Sequence, residues 1–185
     1  MEKKDLKPAG VFKYFEEICQ VPRPSKKEEK MIAYLKAFGA KHNLETKVDE
    51  AGNVLIKKPA TPGKENLQTV VLQSHIDMVC EKNNDVQHDF LTDPIETEID
   101  GEWLKAKGTT LGADNGIGVA TELAILADDS IKHGPLECLF TVDEETGLTG
   151  AFALQEGFMS GDILLNLDSE DEGEIFIGCA GGIDS

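Results

Sequence analysis

Two segments near the start of the chain carry apolar residues at helical spacing. Residues 11–19 repeat apolar positions three or four apart after Pro8, which suits the first turn of a helix. Ser25 and Glu28 form a Ser-x-x-Glu capping box ahead of a second apolar stripe, which reaches about Asn43. The pattern predicts two amphipathic helices, each with one face in the core.

Strand-like runs follow these helices. Two pairs of short runs meet at turns, Ala51-Gly52 and Asp100-Gly101, and predict hairpins. The paired runs cover residues 45–50, 53–58 and 95–105. Apolar-rich runs predict four more strands, at residues 69–74, 136–142, 162–167 and 174–179. Helical spacing predicts two more helices, over residues 119–127 and about 149–155.

The order of these elements indicates the fold class. Strands that alternate with helices are typical of α/β domains. We therefore predict a three-layer α/β/α domain with a mainly parallel or mixed sheet. The sequence ends at Ser185, directly after a strand-like run and without a closing helix. We expect the domain to be incomplete on its C-terminal side.

The charge balance excludes some classes of partner. The chain has 35 acidic and 18 basic residues, a formal net charge of −17. This excess opposes binding to nucleic acid. No apolar run has transmembrane length, and no apolar signal segment follows the basic start. We expect a cytoplasmic protein that does not associate with a membrane.

The cysteines are typical of buried thiols in a reducing compartment, because most lie within apolar segments and none forms a Cys-x-x-Cys pair. This pattern argues against a cysteine-based zinc site. They are Cys19, Cys80, Cys138 and Cys179.

The first candidate for chemistry is a histidine and an aspartate at the end of the strand predicted over residues 69–74. Side chains two apart on an extended strand point to the same side, so His75 and Asp77 can act as a pair. An imidazole that binds zinc through one nitrogen usually donates its other N–H to a carboxylate. The pair predicts a metal ligand and the residue that orients it.

Carboxylates follow the other predicted strands. The cluster Asp143-Glu144-Glu145 follows one strand, Asp168 follows another, and Asp114 comes from a glycine-rich loop before a helix. Ligands of open α/β sheets bind beyond the carboxyl ends of the strands. Nitrogen and oxygen ligands together favour zinc, with manganese or cobalt as substitutes. The sequence predicts a metal site there.

Two other segments resemble ligand-binding motifs but lack a residue that each motif requires. Residues 168–173 resemble the first half of an EF-hand loop, but Cys179 stands where the bidentate glutamate is needed. Residues 108–118 are glycine-rich but lack the Gly-Lys-Ser/Thr ending of a phosphate loop, and Asp114 would repel phosphate.

Four ordered motifs carry a family resemblance. They are Ser-His-Ile-Asp-Met-Val at 74–79, Gly-Thr-Thr-Leu-Gly-Ala-Asp-Asn-Gly-Ile-Gly at 108–118, Asp-Glu-Glu-Thr-Gly at 143–147 and Asn-Leu-Asp-Ser-Glu at 166–170. Together they resemble the di-zinc metallopeptidases that include aminoacylase and glutamate carboxypeptidase. Residues 21–28 strengthen the likeness to the Xaa-His dipeptidases of that family.

The resemblance implies a role for each candidate residue. It makes His75 and Asp168 ligands of one zinc, Asp114 the bridge between two zincs and Glu145 a ligand of the second. It makes Glu144 the general base and Asp77 the residue that orients His75. Asp143 is then the bystander of the acidic cluster.

The chain departs from this family in one respect. The family supplies a second zinc histidine from near the C-terminus of a much longer chain, after an inserted lid domain. We expect a solvated surface role for the remaining histidines, His42, His88 and His133. Residues 1–185 would then be the N-terminal part of the catalytic domain.

For the intact enzyme, the resemblance implies hydrolysis of small peptides, the Xaa-His dipeptides, by a zinc-activated water. The resemblance is also compatible with a homo-oligomeric enzyme. One alternative is a non-catalytic metal-binding fragment. Another keeps the metal centre but makes the parent a tripeptidase or an N-acyl amino-acid deacylase.

Overall fold

The computed structural model describes residues 2–169, 171 and 173–178. A short 3-10 helix, Lys3–Asp5, precedes four α-helices and seven strands among these residues. The helices are α1 (Ala9–Cys19), α2 (Glu29–Lys41), α3 (Ala113–Ala127) and α4 (Thr149–Ala153). The strands are β1 (Glu45–Val48), β2 (Val54–Lys58), β3 (Val70–His75), β4 (Thr97–Asp100), β5 (Trp103–Ala106), β6 (Leu136–Thr141) and β7 (Ile163–Asn166).

Five strands form one mixed sheet in the order β1-β2-β6-β3-β7. The central strand β3 is parallel to both β6 and β7, whereas β2 is antiparallel to β1 and β6. His75 pairs with Thr141, and Gln73 pairs with Asn166. The carboxyl ends of β3, β6 and β7 therefore meet at one edge of the sheet. The hairpin β4–β5 is a separate two-stranded sheet.

The main core lies between one face of this sheet and the helices α1, α2 and α3. Phe15 and Ile18 from α1, Leu35 from α2, Leu123 from α3 and Phe140 from β6 are fully buried there. On the other face Leu55, Val71 and Leu139 form a small cluster, covered in part by Leu154, Phe158 and Met159. Burial on both faces explains why β3 and β6 read as continuous apolar runs.

The α/β class and the mixed sheet are confirmed, as are both hairpins and the helices predicted for residues 11–19 and 119–127. The second face of the sheet carries less structure than a full helical layer. Among the described residues it is covered by the segment that follows α4. The three-layer arrangement is thus built mainly on the α1–α3 side.

The capping box predicted for α2 is wrong. The residue before α2 is Glu28, and the helix start has no side-chain cap. The Ser25 hydroxyl instead donates to Asp77 Oδ2 at 2.8 Å, and Glu28 Oε1 accepts the amides of Lys26 and Asp143. A long-range carboxylate thus replaces the local partner that the motif would use.

The strand predicted over residues 174–179 is also absent from its described part, residues 174–178. Ile175 and Ile177 are almost fully exposed there. A strand needs a neighbour that takes up its backbone groups, and no described segment pairs with this one. Cys179, and the chain end at 181–185, lie outside the described residues.

The prediction of free thiols, most of them buried, holds for the three cysteines among the described residues. Cys19 and Cys138 are buried, Cys80 is half-buried, and all three are free thiols. Cys179 lies outside the described residues. In the described part of the chain, no helix is both long and apolar enough to cross a membrane.

Candidate metal centre

The candidate residues converge at the edge where β3, β6 and β7 end. His75 is the last residue of β3 and is 1% exposed, and Asp77 lies two residues further on. Glu144 and Glu145 follow β6, and Asp168 follows β7. The parallel pairing of these three strands brings together residues that lie up to 93 positions apart.

The imidazole of His75 is the centre of this group. Its Nε2 lies 3.0 Å from Asp114 Oδ1, 3.7 Å from Asp168 Oδ1 and 4.0 Å from Glu144 Oε2. Two sets of side chains each bring their ligand atoms within 4.8 Å of one another. One set is His75, Asp114 and Asp168, and the other is His75, Glu144 and Glu145.

Asp77 binds the opposite side of the ring. Its Oδ1 lies 3.2 Å from His75 Nδ1 and accepts the amide of Glu144 at 3.0 Å. Its Oδ2 accepts the Ser25 hydroxyl at 2.8 Å and the amide of Glu145 at 3.2 Å. Burial raises the pKa of Asp77, but these hydrogen bonds outweigh it and lower the pKa to about 2. The carboxylate stays ionised and ties the imidazole to the acidic loop.

The same surroundings set the protonation of His75. Burial lowers the pKa of the imidazole, but the hydrogen bonds with Asp77 and Asp114 and the charge of Asp168 more than offset it, and the pKa rises to about 9. At neutral pH both ring nitrogens can therefore donate, one to each flanking carboxylate. The proton on Nε2 occupies the position that a metal ion would take.

The remaining carboxyl groups repel one another. Burial is the main cause of the raised pKa of Glu144, Glu145 and Asp168, and neighbouring carboxylates raise it further in each case. Carboxylates gathered so closely are stabilised by a cation. Glu144 is half-buried, so its raised pKa also suits a group that exchanges a proton.

Asp114 is positioned by an irregular start of α3. Gly112 before the helix has φ 68°, and Asp114 and Asn115 have non-helical backbone angles within the first turn. The side-chain amide of Asn115 donates through Nδ2 to Asp168 Oδ1 at 2.6 Å. A Cβ on Gly118 would lie 2.0 Å from Asn115 Oδ1, so the glycine leaves the room that this side chain needs. The glycine-rich loop thus links Asp114 to Asp168.

This donor set fits a divalent metal. One imidazole nitrogen and four carboxylates converge, and nitrogen and oxygen ligands suit zinc, manganese or cobalt. A third acidic set, Glu28, Asp77 and Asp143, lies deeper and is fully buried. Its oxygens accept hydrogen bonds from backbone amides and hydroxyl groups.

Asp143 belongs to neither of the two ligand sets around His75. Its Oδ1 accepts the Thr146 hydroxyl and its Oδ2 accepts the Thr149 hydroxyl, each at 2.5 Å. The residue has φ 49°, and its amide donates to Glu28. Asp143 therefore shapes the turn between β6 and α4.

The surface role predicted for the other histidines is wrong. His42, His88 and His133 are half-buried, and Nε2 of each is buried without a hydrogen-bond partner. His42 packs on Phe38 and His88 on Phe90, each with ring centroids 4.4 Å apart. Aromatic packing thus covers the rings of His42 and His88, although both lie in polar stretches of the sequence. None of the three belongs to the metal-ligand sets found among the described residues.

Sequence reasoning missed three residues that support the site. Ser25 binds Asp77, and Asn115 binds Asp168. Arg23 binds the backbone oxygens of Asp77 and Gly112. Arg23 and Ser25 lie in residues 21–28, where the local pattern predicts a capping box and the family resemblance gives neither residue a role. A cavity of about 270 Å³ opens beside the site, lined in part by Gln73, Thr141, Glu144, Leu148 and Asp168.

Comparison with known proteins finds matches among peptidases. Residues 71–179 match the profile of peptidase family M20/M25/M40. The cytosol non-specific dipeptidase of Escherichia coli (strain K12) is 54% identical over 183 residues, which cover 99% of this chain and 38% of the relative.

Two solved structures extend the comparison. The aminoacylhistidine dipeptidase of Vibrio alginolyticus superposes with a TM-score of 0.94 at 56% identity, over 97% of this chain and 36% of that one. The aminopeptidase PepT of Bacillus cereus superposes with a TM-score of 0.74 at 26% identity, over 88% of this chain and 43% of that one. The chain thus spans less than half the length of each relative.

Proposed function

The chain belongs to peptidase family M20/M25/M40, a family of generally metal-dependent enzymes, and we propose that it forms part of a cytoplasmic dipeptidase with two zinc ions. Its substrates are dipeptides of the Xaa-His type. Similarity to the two dipeptidases supports the reaction, and the name of the Vibrio relative supports the preference for histidine.

The proposal covers a longer protein. Because the chain spans 38% and 36% of the two dipeptidases, we assign residues 1–185 to the N-terminal part of the catalytic domain. A lid domain and a C-terminal catalytic segment, which carries the second zinc histidine, complete the enzyme.

The ligand roles proposed here are those that the family resemblance implies, and the distances around His75 support them. His75 and Asp168 would hold the first ion, Asp114 would be shared by both ions, and Glu145 would hold the second. Asp114 Oδ1 is close enough to His75 Nε2 to share an ion with it. Glu145 lies within reach of His75 together with Glu144. Burial is the main cause of its raised pKa, and the negative charge of Asp114 raises the pKa further. When bound, the two ions acidify a water molecule and polarise the peptide carbonyl.

Glu144 is the general base in this scheme. It stands between the ligand cluster and the cavity, with Oε2 4.0 Å from His75 Nε2. The carboxylate accepts a proton from the attacking water and delivers it to the departing amine, so it ends the cycle ionised. A proton transfer of this kind contributes about 10²–10⁴-fold. Asp77 keeps the imidazole in the tautomer whose Nε2 faces the ligands.

The single observation that carries the proposal is the meeting of one buried imidazole nitrogen with the carboxylates of Asp114, Asp168 and Glu144. The test is zinc stoichiometry measured together with hydrolysis of Xaa-His dipeptides, other dipeptides, a tripeptide and an N-acyl amino acid. Each is assayed on the 185-residue chain and on a form extended to the length of the two dipeptidases.

We expect two zinc ions and preferential cleavage of Xaa-His dipeptides by the extended form. Zinc bound without hydrolysis in either form would favour the non-catalytic metal-binding alternative. Faster cleavage of the tripeptide or of the N-acyl amino acid would move the assignment to a different substrate class.

A further inference from the structure

Arg23 is the only arginine in the sequence, and its side chain lies beneath the candidate metal centre. The residue is 2% exposed. Its position is unusual because arginine is seldom buried unless its donors are satisfied. The proposed reaction gives this residue no role.

The guanidinium binds three backbone oxygens from two segments. Nη1 donates to the carbonyls of Ile76 at 3.1 Å and Asp77 at 2.9 Å, at the end of β3. Nη2 donates to the carbonyl of Gly112 at 2.5 Å, in the loop before α3. One of these segments begins next to His75, and the other ends two residues before Asp114. Arg23 therefore connects the two segments that carry the closest ligand pair.

Two glycines make room for this side chain. A Cβ on Gly112 would lie 2.6 Å from Arg23 Nη2, and a Cβ on Gly116 would lie 2.7 Å from the same atom. Any larger residue at either position would displace the guanidinium. The glycine-rich loop thus accommodates Arg23 on one side of Asp114 and Asn115 on the other.

We propose that Arg23 is a positioning residue, which holds Asp114 against His75 by tying the loop at Gly112 to the end of β3. The inference rests on the proposed metal centre for its effect on ligands, although the tie itself exists without metal. Arginine suits this position because its planar fork presents several donors in fixed directions. A lysine has one donor atom and cannot reach all three carbonyls in the same way.

Lys58 provides a matched control. It is also a buried cation, and its Nζ donates to the carbonyls of Ile125 at 3.2 Å and Asp128 at 2.9 Å. It pairs with Leu136 at the start of β6, the opposite end of the sheet from the metal centre. Lys58→Met removes a cation, two hydrogen bonds to carbonyls and an ion pair with the exposed Asp129, but it leaves the candidate ligands untouched.

The experiment compares the natural chain with Arg23→Met, Arg23→Lys and Lys58→Met. Amide hydrogen exchange of the metal-free proteins is measured over residues 76–78 and 110–116, and zinc affinity by competition with a chromophoric chelator. In Arg23→Met we expect exchange in both segments to rise at least tenfold and zinc affinity to fall at least tenfold. Arg23→Lys should give exchange rates and a zinc affinity between those of the natural chain and Arg23→Met. Lys58→Met should match the natural chain in both measurements.

A spectroscopic measurement on the natural chain tests the same proposal without requiring any variant to fold. Protein labelled with ¹⁵N-arginine gives one set of guanidinium resonances, because the chain has one arginine. A guanidinium held by carbonyls on both sides should give separate Nη1 and Nη2 signals, and their shifts should move when zinc is added. A single averaged Nη signal would overturn the proposal, whether or not Arg23→Met folds.

The outcomes also separate this inference from the proposed function. Natural exchange rates at residues 110–116 in a folded Arg23→Met protein would overturn the role of Arg23. Zinc affinity lost equally in Lys58→Met would also overturn it, because the effect would then follow from general destabilisation. If neither the natural chain nor the form extended to the length of the two dipeptidases binds zinc, the proposed metal centre fails, and the exchange rates still decide the role of Arg23.

Discussion

The buried carboxylate of Asp77 lies 3.2 Å from Nδ1 of His75. This contact determines which ring nitrogen faces the other carboxylates, because Nδ1 is occupied and Nε2 is left to face Asp114. Asp77 also accepts the amides of Glu144 and Glu145. One side chain thus orients the histidine and places the acidic loop beside it.

We predict that Asp77→Asn weakens zinc binding by about 10–100-fold, the usual effect of losing a carboxylate that supports a ligating histidine. The asparagine amide cannot accept every hydrogen bond that Asp77 now accepts, and it no longer holds the negative charge beside the ring. Chelator competition measures the affinity.

Asp49→Asn is the matched control for Asp77→Asn. Asp49 also accepts several backbone amides, but it does so in the turn between β1 and β2. Equal zinc affinity in Asp77→Asn and the natural chain would rule out an orienting role for Asp77.

Zinc affinity should rise with pH over the range in which His75 loses its proton. The pKa of His75 in the folded metal-free chain is about 9, above its ordinary value of 6.5, so the ring is protonated at pH 7. A metal binds the neutral imidazole and must displace that proton. Each released proton adds about a tenfold gain in affinity per pH unit.

Chelator-buffered zinc titrations between pH 6.0 and about 8.5 measure this slope. Calorimetry in buffers with different ionisation enthalpies counts the protons released. A flat affinity over this range would contradict a protonated His75. The same linkage means that protonated His75 favours the metal-free fold below pH 6.5, and this contribution is lost as the pH rises through about 9.

Glu144→Gln should retain zinc and lose about 10²–10⁴-fold in turnover, because the amide cannot accept the proton of the attacking water. The measurement is kcat on a Xaa-His dipeptide for the zinc-loaded form extended to the length of the two dipeptidases, with metal content determined on the same sample. Glu156→Gln, an exposed neutralisation on the segment after α4, is the control. Retained turnover in Glu144→Gln would remove this residue from the reaction.

Glu122→Gln should stabilise the protein increasingly as the pH rises. Glu122 is fully buried in α3, and neither of its carboxyl oxygens has a hydrogen bond of good geometry, although the Ser74 hydroxyl and the Cys138 thiol lie nearby. Burial raises the pKa of Glu122 well above its ordinary value of 4.5. The folded state therefore keeps the proton that the unfolded chain loses above pH 4.5.

This stabilising contribution of Glu122 is complete below pH 4.5 and is lost as the pH rises through the folded-state pKa. Glutamine has no such loss, so the difference in Tm between the two proteins should grow from pH 4.5 to pH 8. A difference of about 1 kcal/mol corresponds to about 2–4 °C in a domain of this size. Thermal melts of the metal-free proteins measure it, and a pH-independent difference would contradict an uncharged buried Glu122.

Local sequence patterns predicted most of the elements. Alternation and turn residues predicted the hairpins at β1–β2 and β4–β5, and continuous apolar runs predicted β3 and β6. These signals succeeded because a period of two or 3.6 depends only on which face of an element is buried. The run at residues 174–178 failed because a strand also needs a paired neighbour.

The sequence by itself determined which candidate ligand residues meet, since His75 and the acids that follow β6 and β7 stand at strand ends, and parallel pairing brings such ends together. The tertiary structure decided how these residues are supported. Ser25 binds Asp77 instead of capping α2, Asn115 binds Asp168, and Arg23 ties the end of β3 to the loop before Asp114. Each of these contacts joins residues more than 50 positions apart, where no local period relates one position to the other.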